Sequence, residues 1–393
     1  MIRKKKILII SDRVHALPRM TSLEEEFFKL GNEVYFYSYS NNDDRIHTSS
    51  YISNNKLKNL IKKIFNKQKL IFNIISFSKY LFSFPDKYFV RWFLMKQKEI
   101  DNIVVKFNPD VIISSSSPVT SHIIARRIAK KFKIKWCADF RDLWSLNHNH
   151  PGKIIGKVLD GILEKHIIKQ ANYIVTVSPL ISNQLSHFHD KKVFVITNGY
   201  SPEKYLKSPS LEKDKFIIRY TGSLYEEKQK HTCLIFLDAL INFKNENVLF
   251  EIYSSQIDWI VNEIKVRKLE SIVLLKGSMP HKDIPDIQIN SSLNIIFGFE
   301  NYKSYYLKMF EYLGAGRPIL LISDEKYKEP TIEIFNKFKY AHVAYNVGGV
   351  NKIINQLIKS PSLDLDEKLL DKYKFPYLAK EYLKIINDHN GSR

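Results

Sequence analysis

Lys308 and Glu311 form a pair whose spacing could serve nucleotide binding. They lie in the segment Tyr306–Pro318, which is typical of a short helix closed by glycine, so both side chains share one helix face. A lysine in the first turn is unfavourable near the positive end of the helix dipole unless an anion binds there. A glutamate one turn later can accept hydrogen bonds from both hydroxyls of a ribose. The pair therefore indicates a nucleoside diphosphate site, although an ordinary surface ion pair would show the same spacing.

Gly222, Ser223 and Lys228 form a second candidate site for phosphate groups. Gly222 and Ser223 follow a predicted strand directly, and Lys228 lies at the start of the predicted helix after them. Glycine permits close approach to the backbone, and exposed amides beside a lysine suit a diphosphate. A plain strand-to-helix turn would carry the same residues, so both interpretations stay open.

Asp139, Arg141 and Asp142 place two carboxylates around an arginine, directly after a strand predicted to end at Ala138. Functional sites in parallel sheets lie at the carboxyl ends of strands. One carboxylate could therefore act as a general base or hold an acceptor hydroxyl. A structural Arg–Asp pair that stabilises the loop is the alternative.

The serine run 114–117 follows another predicted strand. Its hydroxyls can cap the helix that comes next. Ser116 and Ser117 could in addition bind polar groups on the acceptor side of a site.

Alternating strands and helices must position all of these residues. This alternation is typical of a doubly wound parallel sheet, and it restarts after the polar stretch 198–214, which predicts an α/β protein of two similar halves with a cleft between them. The predicted strands are Ile7–Ile10, Val34–Tyr37, Val111–Ile113, Ile134–Ala138, Tyr173–Val177 and Val193–Ile196, then Phe216–Tyr220, Leu249–Tyr253, Ser271–Leu275, Leu293–Phe297 and Ile319–Ile322.

Much of the net charge of +20 is concentrated in one segment. Between Arg45 and Pro85 there are eight Lys or Arg residues and no Asp or Glu, and apolar residues recur there at helical spacing. The segment 54–85 therefore predicts a basic amphipathic helix on an anionic membrane surface, with a solvated helix as the alternative. No nucleic-acid-binding module is recognisable, so we expect no nucleic acid partner.

The two cysteines, Cys137 and Cys233, stand in apolar surroundings and are predicted to lie in different domains, which argues against a disulfide framework or a zinc cluster. No stretch approaches the roughly 20 apolar residues that a bilayer crossing needs. We expect a cytoplasmic protein associated peripherally with the inner face of the cytoplasmic membrane.

The segment Lys308–Pro318 resembles the donor-binding signature of bacterial glycosyltransferases with two Rossmann-like domains, the GT-B architecture. Further blocks are similar to a subgroup of the retaining family 4 and keep its order from about residue 84 to residue 322: Phe84-Pro-Asp86-Lys87, Trp92, Asn108-Pro-Asp110, Asp139–Trp144, Asn198-Gly199 and Tyr220–Ser223. The resemblance implies two Rossmann-like doubly wound domains that face an interdomain cleft. Residues 1–200 would form the acceptor domain and 201–372 the nucleotide-sugar donor domain, with 373–393 as a helix that returns to the first domain.

The resemblance also implies a role for each candidate residue. Glu311 would bind the ribose hydroxyls, while Lys308, Lys228 and the amides of Gly222 and Ser223 would stabilise the departing diphosphate. Asp139 or Asp142 would contact the acceptor hydroxyl. We expect no cofactor and no metal, because lysines and a helix end would do that work. Many family members carry a first glutamate eight positions before the second, and here that position is Lys303.

The resemblance thus implies a glycosyltransferase that moves a hexosyl or N-acetylhexosaminyl group from a nucleotide sugar to a lipid-linked or oligosaccharide acceptor. The product would be a bacterial capsule, O-antigen or other surface polysaccharide. A nucleotide-sugar epimerase of the same fold is one alternative. A non-catalytic binding subunit of a glycan assembly complex is the other.

Overall fold

The computed structural model describes residues 4–13, 19–39, 84–147, 150–212, 214–244, 246–255, 257–299, 302, 304–326, 329–360 and 365–388. The chain divides into an N-terminal unit, Met1–Ile196 with Ala379–Arg393, and a C-terminal unit, Thr197–Leu378. The sequence predicts domain limits at residues 200 and 372, and the units divide at residues 196 and 378. The basic segment 54–85 lies outside the described residues, apart from Phe84 and Pro85.

Six parallel strands form the sheet of the N-terminal unit, in the order β2-β1-β3-β4-β5-β6. The strands are β1 (Lys6–Ile10), β2 (Glu33–Tyr37), β3 (Val111–Ser116), β4 (Lys135–Phe140), β5 (Tyr173–Thr176) and β6 (Val193–Val195). The helices are α1 (Arg19–Lys29), α2 (Gln97–Phe107), α3 (Thr120–Phe132), α4 (Lys153–Ile168) and α5 (Pro179–His189), with a π-helix at Phe89–Leu94.

The central strands of this sheet are buried because both of its faces are covered. All residues of β3 are buried, and so are Ile7 to Ile10 of β1. Such continuous burial is expected where helices pack on both sides of a parallel sheet. Large side chains fill the space between sheet and helices, among them the fully buried Trp136 and Phe140.

A second six-stranded parallel sheet forms the C-terminal unit, in the order β12-β11-β10-β7-β8-β9. Its strands are β7 (Phe216–Thr221), β8 (Val248–Tyr253), β9 (Val273–Leu275), β10 (Leu293–Phe297), β11 (Ile319–Ile322) and β12 (Ala341–Ala344). Its helices are α6 (Glu226–Leu240), α7 (Asp258–Val266), α8 (Ile284–Ile289), α9 (Leu307–Ala315), α10 (Pro330–Phe335), α11 (Val347–Lys359) and α12 (Glu367–Asp371), with 3₁₀ turns at Pro202–Tyr205 and Ile241–Phe243.

Three aromatic rings pack together in the core of the C-terminal unit. Phe236 of α6 packs edge-on against Phe250 of β8, with ring centroids 4.8 Å apart, and against Phe297 of β10 at 5.9 Å. These contacts fix α6 over β8 and β10. Because the strands are parallel, the residues after β7, β10 and β11 lie at one edge of the sheet. The candidate donor residues lie at this edge.

The last helix, α13 (Phe375–Asn387), packs against the N-terminal unit through residues from 379 onward. The fully buried Tyr382 meets Phe27 of α1 edge-on, with ring centroids 5.8 Å apart. Lys5 Nζ donates a hydrogen bond of 3.2 Å to the carbonyl of Ile386. The chain thus returns to the unit in which it begins.

Several elements differ from the sequence-based prediction. Strand β12 is not predicted, and strand β3 continues to Ser116 rather than ending at Ile113. Ser114 to Ser116 therefore lie in the strand, and the residue that caps α3 is Val119 rather than a serine.

The segment before β3 is not one continuous helix, because a π-helix at Phe89–Leu94 precedes α2, which begins only at Gln97. Strand β4 continues to Phe140 rather than ending at Ala138, so Asp139 lies within the strand.

Among the described residues, no helix combines the length and apolar character that a bilayer crossing requires.

Candidate functional site

Lys308 lies directly against the backbone of Gly222. Because α9 begins at Leu307, Lys308 is in the first turn of that helix. Its Nζ is 3.7 Å from the centroid of the Tyr220 ring, a distance at which a cation is attracted to the ring face. A Cβ atom on Gly222 would lie 2.6 Å from Lys308 Cε, and the φ of Gly222 is +114°, which disfavours any side chain. The lysine and the glycine loop are therefore parts of one site.

The charge of Lys308 depends on this environment. Burial lowers the pKa of Lys308 to about 7, and the nearby carboxylate of Glu311 acts in the opposite direction. Near neutral pH the ammonium and the neutral amine are therefore both populated. An anion that binds beside Nζ would favour the ammonium, so the site is suited to accept negative charge.

Gln288 orients the Glu311 carboxylate. The fully buried Gln288 donates from Nε2 to Glu311 Oε2 over 3.2 Å and to Thr221 Oγ1 over 3.1 Å. Its Oε1 accepts a 3.0 Å hydrogen bond from the Tyr205 hydroxyl. This network connects α8, α9 and the end of β7, and it leaves Glu311 half-buried with one oxygen fixed.

Tyr220 also fixes the loop that carries Ser223. Its hydroxyl donates to the carbonyl of Ser223 over 2.5 Å and accepts from Gln229 Nε2 over 2.9 Å. Lys228, exposed in the first turn of α6, has its Nζ 5.2 Å from the ring centroid of Tyr225. Lys308 thus lies over the ring of Tyr220, and Lys228 lies beside the ring of Tyr225. The backbone amide of Gly222, predicted to bind phosphate, instead donates to the carbonyl of Tyr253 over 2.9 Å.

A cavity of about 320 Å³ opens beside Lys228 in the C-terminal unit. Its lining includes Thr232, Phe299, Asp324 and the buried Glu329. Burial raises the pKa of Glu329 to about 7, while a 2.8 Å hydrogen bond from Ser323 Oγ opposes the shift.

In the described part of the chain, no three His, Cys, Asp or Glu side chains are grouped so that they could hold a metal ion.

Asp139 is fully buried in the N-terminal unit. Arg19 Nη2 donates to its Oδ2 over 2.8 Å, and Tyr382 reaches the same oxygen at 3.3 Å. Ser115 Oγ donates to Oδ1 over 3.1 Å. The carboxylate is thus enclosed by protein donors, and its ion-pair partner is Arg19 rather than the neighbouring Arg141. We assign Asp139 a structural role in place of the predicted contact with an acceptor.

Arg141 instead joins the loops that follow β3 and β4. Its Nε donates to the carbonyl of Ser116 over 2.9 Å, and its Nη2 donates to the carbonyl of Ser117 over 3.1 Å. Burial lowers the pKa of Arg141, and the charges of Asp142 and Asp139 oppose that shift. The arginine therefore orders the serine loop through backbone contacts.

Of these acceptor-side residues, Ser117 and Asp142 are exposed. Ser116 is buried, and its hydroxyl oxygen has no hydrogen-bond partner in the part of the chain that the structure describes. Both exposed residues lie at the carboxyl edge of the N-terminal sheet, where a substrate hydroxyl can reach them.

Sequence reasoning missed two residues that organise these sites, Arg19 and Gln288. Arg19 opens the amphipathic helix α1 and is 1 % exposed, a position where an arginine requires a carboxylate partner. A buried arginine at the start of α1 would have predicted a carboxylate partner. The sequence alone shows neither the burial of Arg19 nor which carboxylate is its partner. Gln288 carries no comparable signal, since a glutamine in a short helix is usually exposed.

The chain is similar to known proteins in part of its sequence and in its fold. Residues 20–204 match the model of Glycosyltransferase Family 4. A relative of undescribed function, protein L75 of Acanthamoeba polyphaga mimivirus, is 28 % identical over 174 residues, which span 39 % of this chain and 54 % of that protein. The chain thus spans about half the length of this relative.

Solved structures match the chain over nearly its whole length. Sucrose-phosphate synthase from Thermosynechococcus elongatus superposes with a TM-score of 0.66 at 12 % identity, covering 98 % of both chains. Anabaena Alr3699/HepE in complex with UDP and glucose gives 0.60 at 11 % identity, covering 97 % of this chain and 99 % of that one. A Listeria monocytogenes protein described as a UDP-N-acetylglucosamine 2-epimerase gives 0.57 at 12 % identity, covering 98 % and 97 %.

The predicted resemblance is therefore confirmed. The chain has the α/β fold of the GT-B glycosyltransferases, with a Rossmann-like parallel sheet in each unit. The family match lies almost entirely in the N-terminal unit, and the structural likeness extends over both.

Proposed function

We propose that this protein transfers a sugar from a nucleoside diphosphate sugar to an acceptor hydroxyl. The observation that carries the proposal is the position of Lys308, held against Gly222 at the start of α9 with Glu311 one turn further on. A cation at the positive end of a helix is stabilised by a bound anion, and a diphosphate supplies one. The family match and the fold likeness favour the same chemistry.

The leaving group is the part of the reaction that these residues would serve. The bond between the anomeric carbon and the diphosphate oxygen breaks, and negative charge develops on that oxygen. Lys308, Lys228 and the backbone amide of Ser223 would stabilise this charge, which is usually the largest contribution to such catalysis. Glu311 would hold the ribose hydroxyls. We propose that the transfer is retaining and needs no metal.

The acceptor oxygen forms the new bond to the anomeric carbon and loses its proton. Asp142 and Ser117, exposed at the carboxyl edge of the N-terminal sheet, are the groups proposed to contact that hydroxyl. The proton would pass to the departing phosphate or to Asp142. We propose that the acceptor is lipid-linked or an oligosaccharide, that the product is a bacterial surface polysaccharide, and that the enzyme works at the cytoplasmic face of the membrane.

The likeness to a protein described as an epimerase supports a second candidate function. An epimerase would convert a free nucleotide sugar without any acceptor. Incubation with a panel of UDP-, GDP- and dTDP-sugars, with and without a lipid-linked acceptor, separates the two. A mass increase of the acceptor by one sugar residue supports the transferase, and isomerisation of the free donor without an acceptor contradicts it.

A further inference from the structure

The helix α4 of the N-terminal unit turns its carboxylates inward. Asp160 and Glu164 are its two acidic residues, and both are buried. Asp160 Oδ2 lies 2.7 Å from His150 Nε2, and Glu164 Oε1 lies 3.1 Å from His189 Nε2. Ser145 also donates to Glu164 from its backbone amide over 2.9 Å. The polar face of this helix therefore packs on the protein.

The opposite face of α4 is apolar and exposed. Five side chains on it are between 38 % and 81 % exposed: Ile154, Ile155, Val158, Leu159 and Ile162. Their spacing of one, four, five and eight residues places them on one continuous stripe. A helix on a water-exposed surface has the reverse arrangement, and a contiguous exposed apolar patch marks an interaction site.

Positive charge continues this stripe toward the end of α4. Lys165 and Lys169 stand on the same face one and two turns after Ile162, and both are exposed. Because Asp160 and Glu164 point inward, this face of the helix presents no negative charge. An apolar stripe followed by lysines complements the acyl boundary and the anionic headgroups of a bilayer.

The stripe begins near the proposed acceptor side. The chain runs from β4 through the exposed Asp142 to the start of α4, so the first turns of the helix lie toward the carboxyl edge of the sheet. A helix of 16 residues is too short to cross a bilayer, and it would lie in the plane of the surface.

We infer that the exposed face of α4 is a docking surface for an anionic lipid bilayer, which would bring a lipid-linked acceptor beside Asp142. This inference deepens the proposed membrane location and is independent of segment 54–85. The proposed partner is a lipid surface because this face of α4 carries lysines and no acidic group.

Vesicle flotation tests the inference with paired variants. The double variant Ile154→Ser/Ile162→Ser removes two highly exposed apolar side chains, so it should fold normally, as thermal unfolding can verify. Val266→Ser is the matched control, since Val266 is 78 % exposed on α7 of the C-terminal unit. On vesicles of phosphatidylglycerol with phosphatidylcholine, we expect the double variant to bind about tenfold more weakly and the control to bind normally. Lys165→Gln/Lys169→Gln should bind more weakly and lose part of the salt dependence.

Three results would overturn the inference. One is unchanged vesicle binding by the double serine variant, which would mean that another part of the protein binds the membrane. A second is no binding of the unaltered protein to anionic vesicles. The third is a dimer in sedimentation velocity that the serine variant dissociates, which would make the stripe an interface between two copies. UDP binding, measured by calorimetry on the same variants, reports separately on the proposed transferase function.

Discussion

Gly222 and Lys308 are matched in shape: the lysine chain occupies the volume that any side chain at residue 222 would take. The two residues lie on different elements, the loop after β7 and the first turn of α9. Their contact places a cation beside the loop that carries the exposed Ser223, and this arrangement underlies the proposed binding of a diphosphate.

Gly222→Ala should lower the affinity for UDP by about 10- to 100-fold, because the added methyl group displaces Lys308 and strains the backbone at positive φ. Isothermal calorimetry measures this loss. Gly277→Ala is the matched control: Gly277 also has a positive φ, +72°, but a Cβ there meets nothing within 4 Å. Equal losses of affinity in both variants would mean that strain alone, rather than contact with Lys308, explains the effect.

Nucleotide binding should take up a proton at Lys308. The lysine of the free protein has its pKa lowered to about 7 by burial, and a bound diphosphate raises that pKa again. Affinity should therefore fall as the pH rises above about 7, by up to about tenfold per pH unit. Calorimetry between about pH 7 and 9, in buffers of different ionisation enthalpy, measures the slope and the proton count. Lys308→Met should bind weakly with no slope, and an unchanged slope in that variant would assign the proton to another group.

Asp139 and Asp142 should respond differently to the same substitution. Asp139→Asn breaks a buried ion pair with Arg19 and should lower the free energy of unfolding by about 3–5 kcal/mol. Asp142→Asn changes an exposed carboxylate and should leave unfolding within about 0.5 kcal/mol while it slows sugar transfer. Denaturant unfolding and a transfer assay measure the two effects. If Asp139→Asn slowed sugar transfer without lowering stability, and Asp142→Asn lowered stability without slowing transfer, Asp139 would again be the candidate acceptor contact.

Most of the fold follows from the sequence because the strands of both sheets are short apolar runs between turn residues. Strand β12 is missed, since Ala341–Ala344 is mostly half-buried and includes His342. The end of β4 is misplaced for a related reason: Asp139 interrupts the apolar run, and only a distant residue, Arg19, makes its burial possible.

The geometry of the candidate donor residues is a more local property than that of the candidate acceptor residues. The spacing of Lys308 and Glu311 on one helix is a local property, whereas the roles of Asp139, Arg141 and Ser116 depend on contacts between loops. Gln288 could not be assigned for the same reason, since its partners on β7 and α9 are distant in the sequence.

Glu329→Gln should stabilise the protein above neutral pH. The folded-state pKa of Glu329 is raised from 4.5 to about 7 by burial, so the folded protein resists ionisation that the unfolded chain allows. The contribution of protonated Glu329 to the free energy of unfolding is therefore complete below about pH 4.5 and is lost as the pH rises through about 7. The glutamine variant should be about 1–3 kcal/mol more stable than the unaltered protein near pH 8, and about equally stable near pH 4. Denaturant unfolding at both pH values checks this, and a variant that is less stable near pH 8 would contradict it.

Calorimetric titration of Glu311→Gln with UDP, and with GDP and ADP alongside, tests the central claim most directly. Loss of the ribose contact should weaken binding of the preferred nucleotide by about 1–3 kcal/mol, since it leaves buried polar groups without partners. Glu333→Gln, an exposed glutamate on α10, is the matched control and should bind as the unaltered protein does. If Glu311→Gln binds the nucleotide as tightly as the control, then Lys308 and Glu311 do not form the nucleotide site.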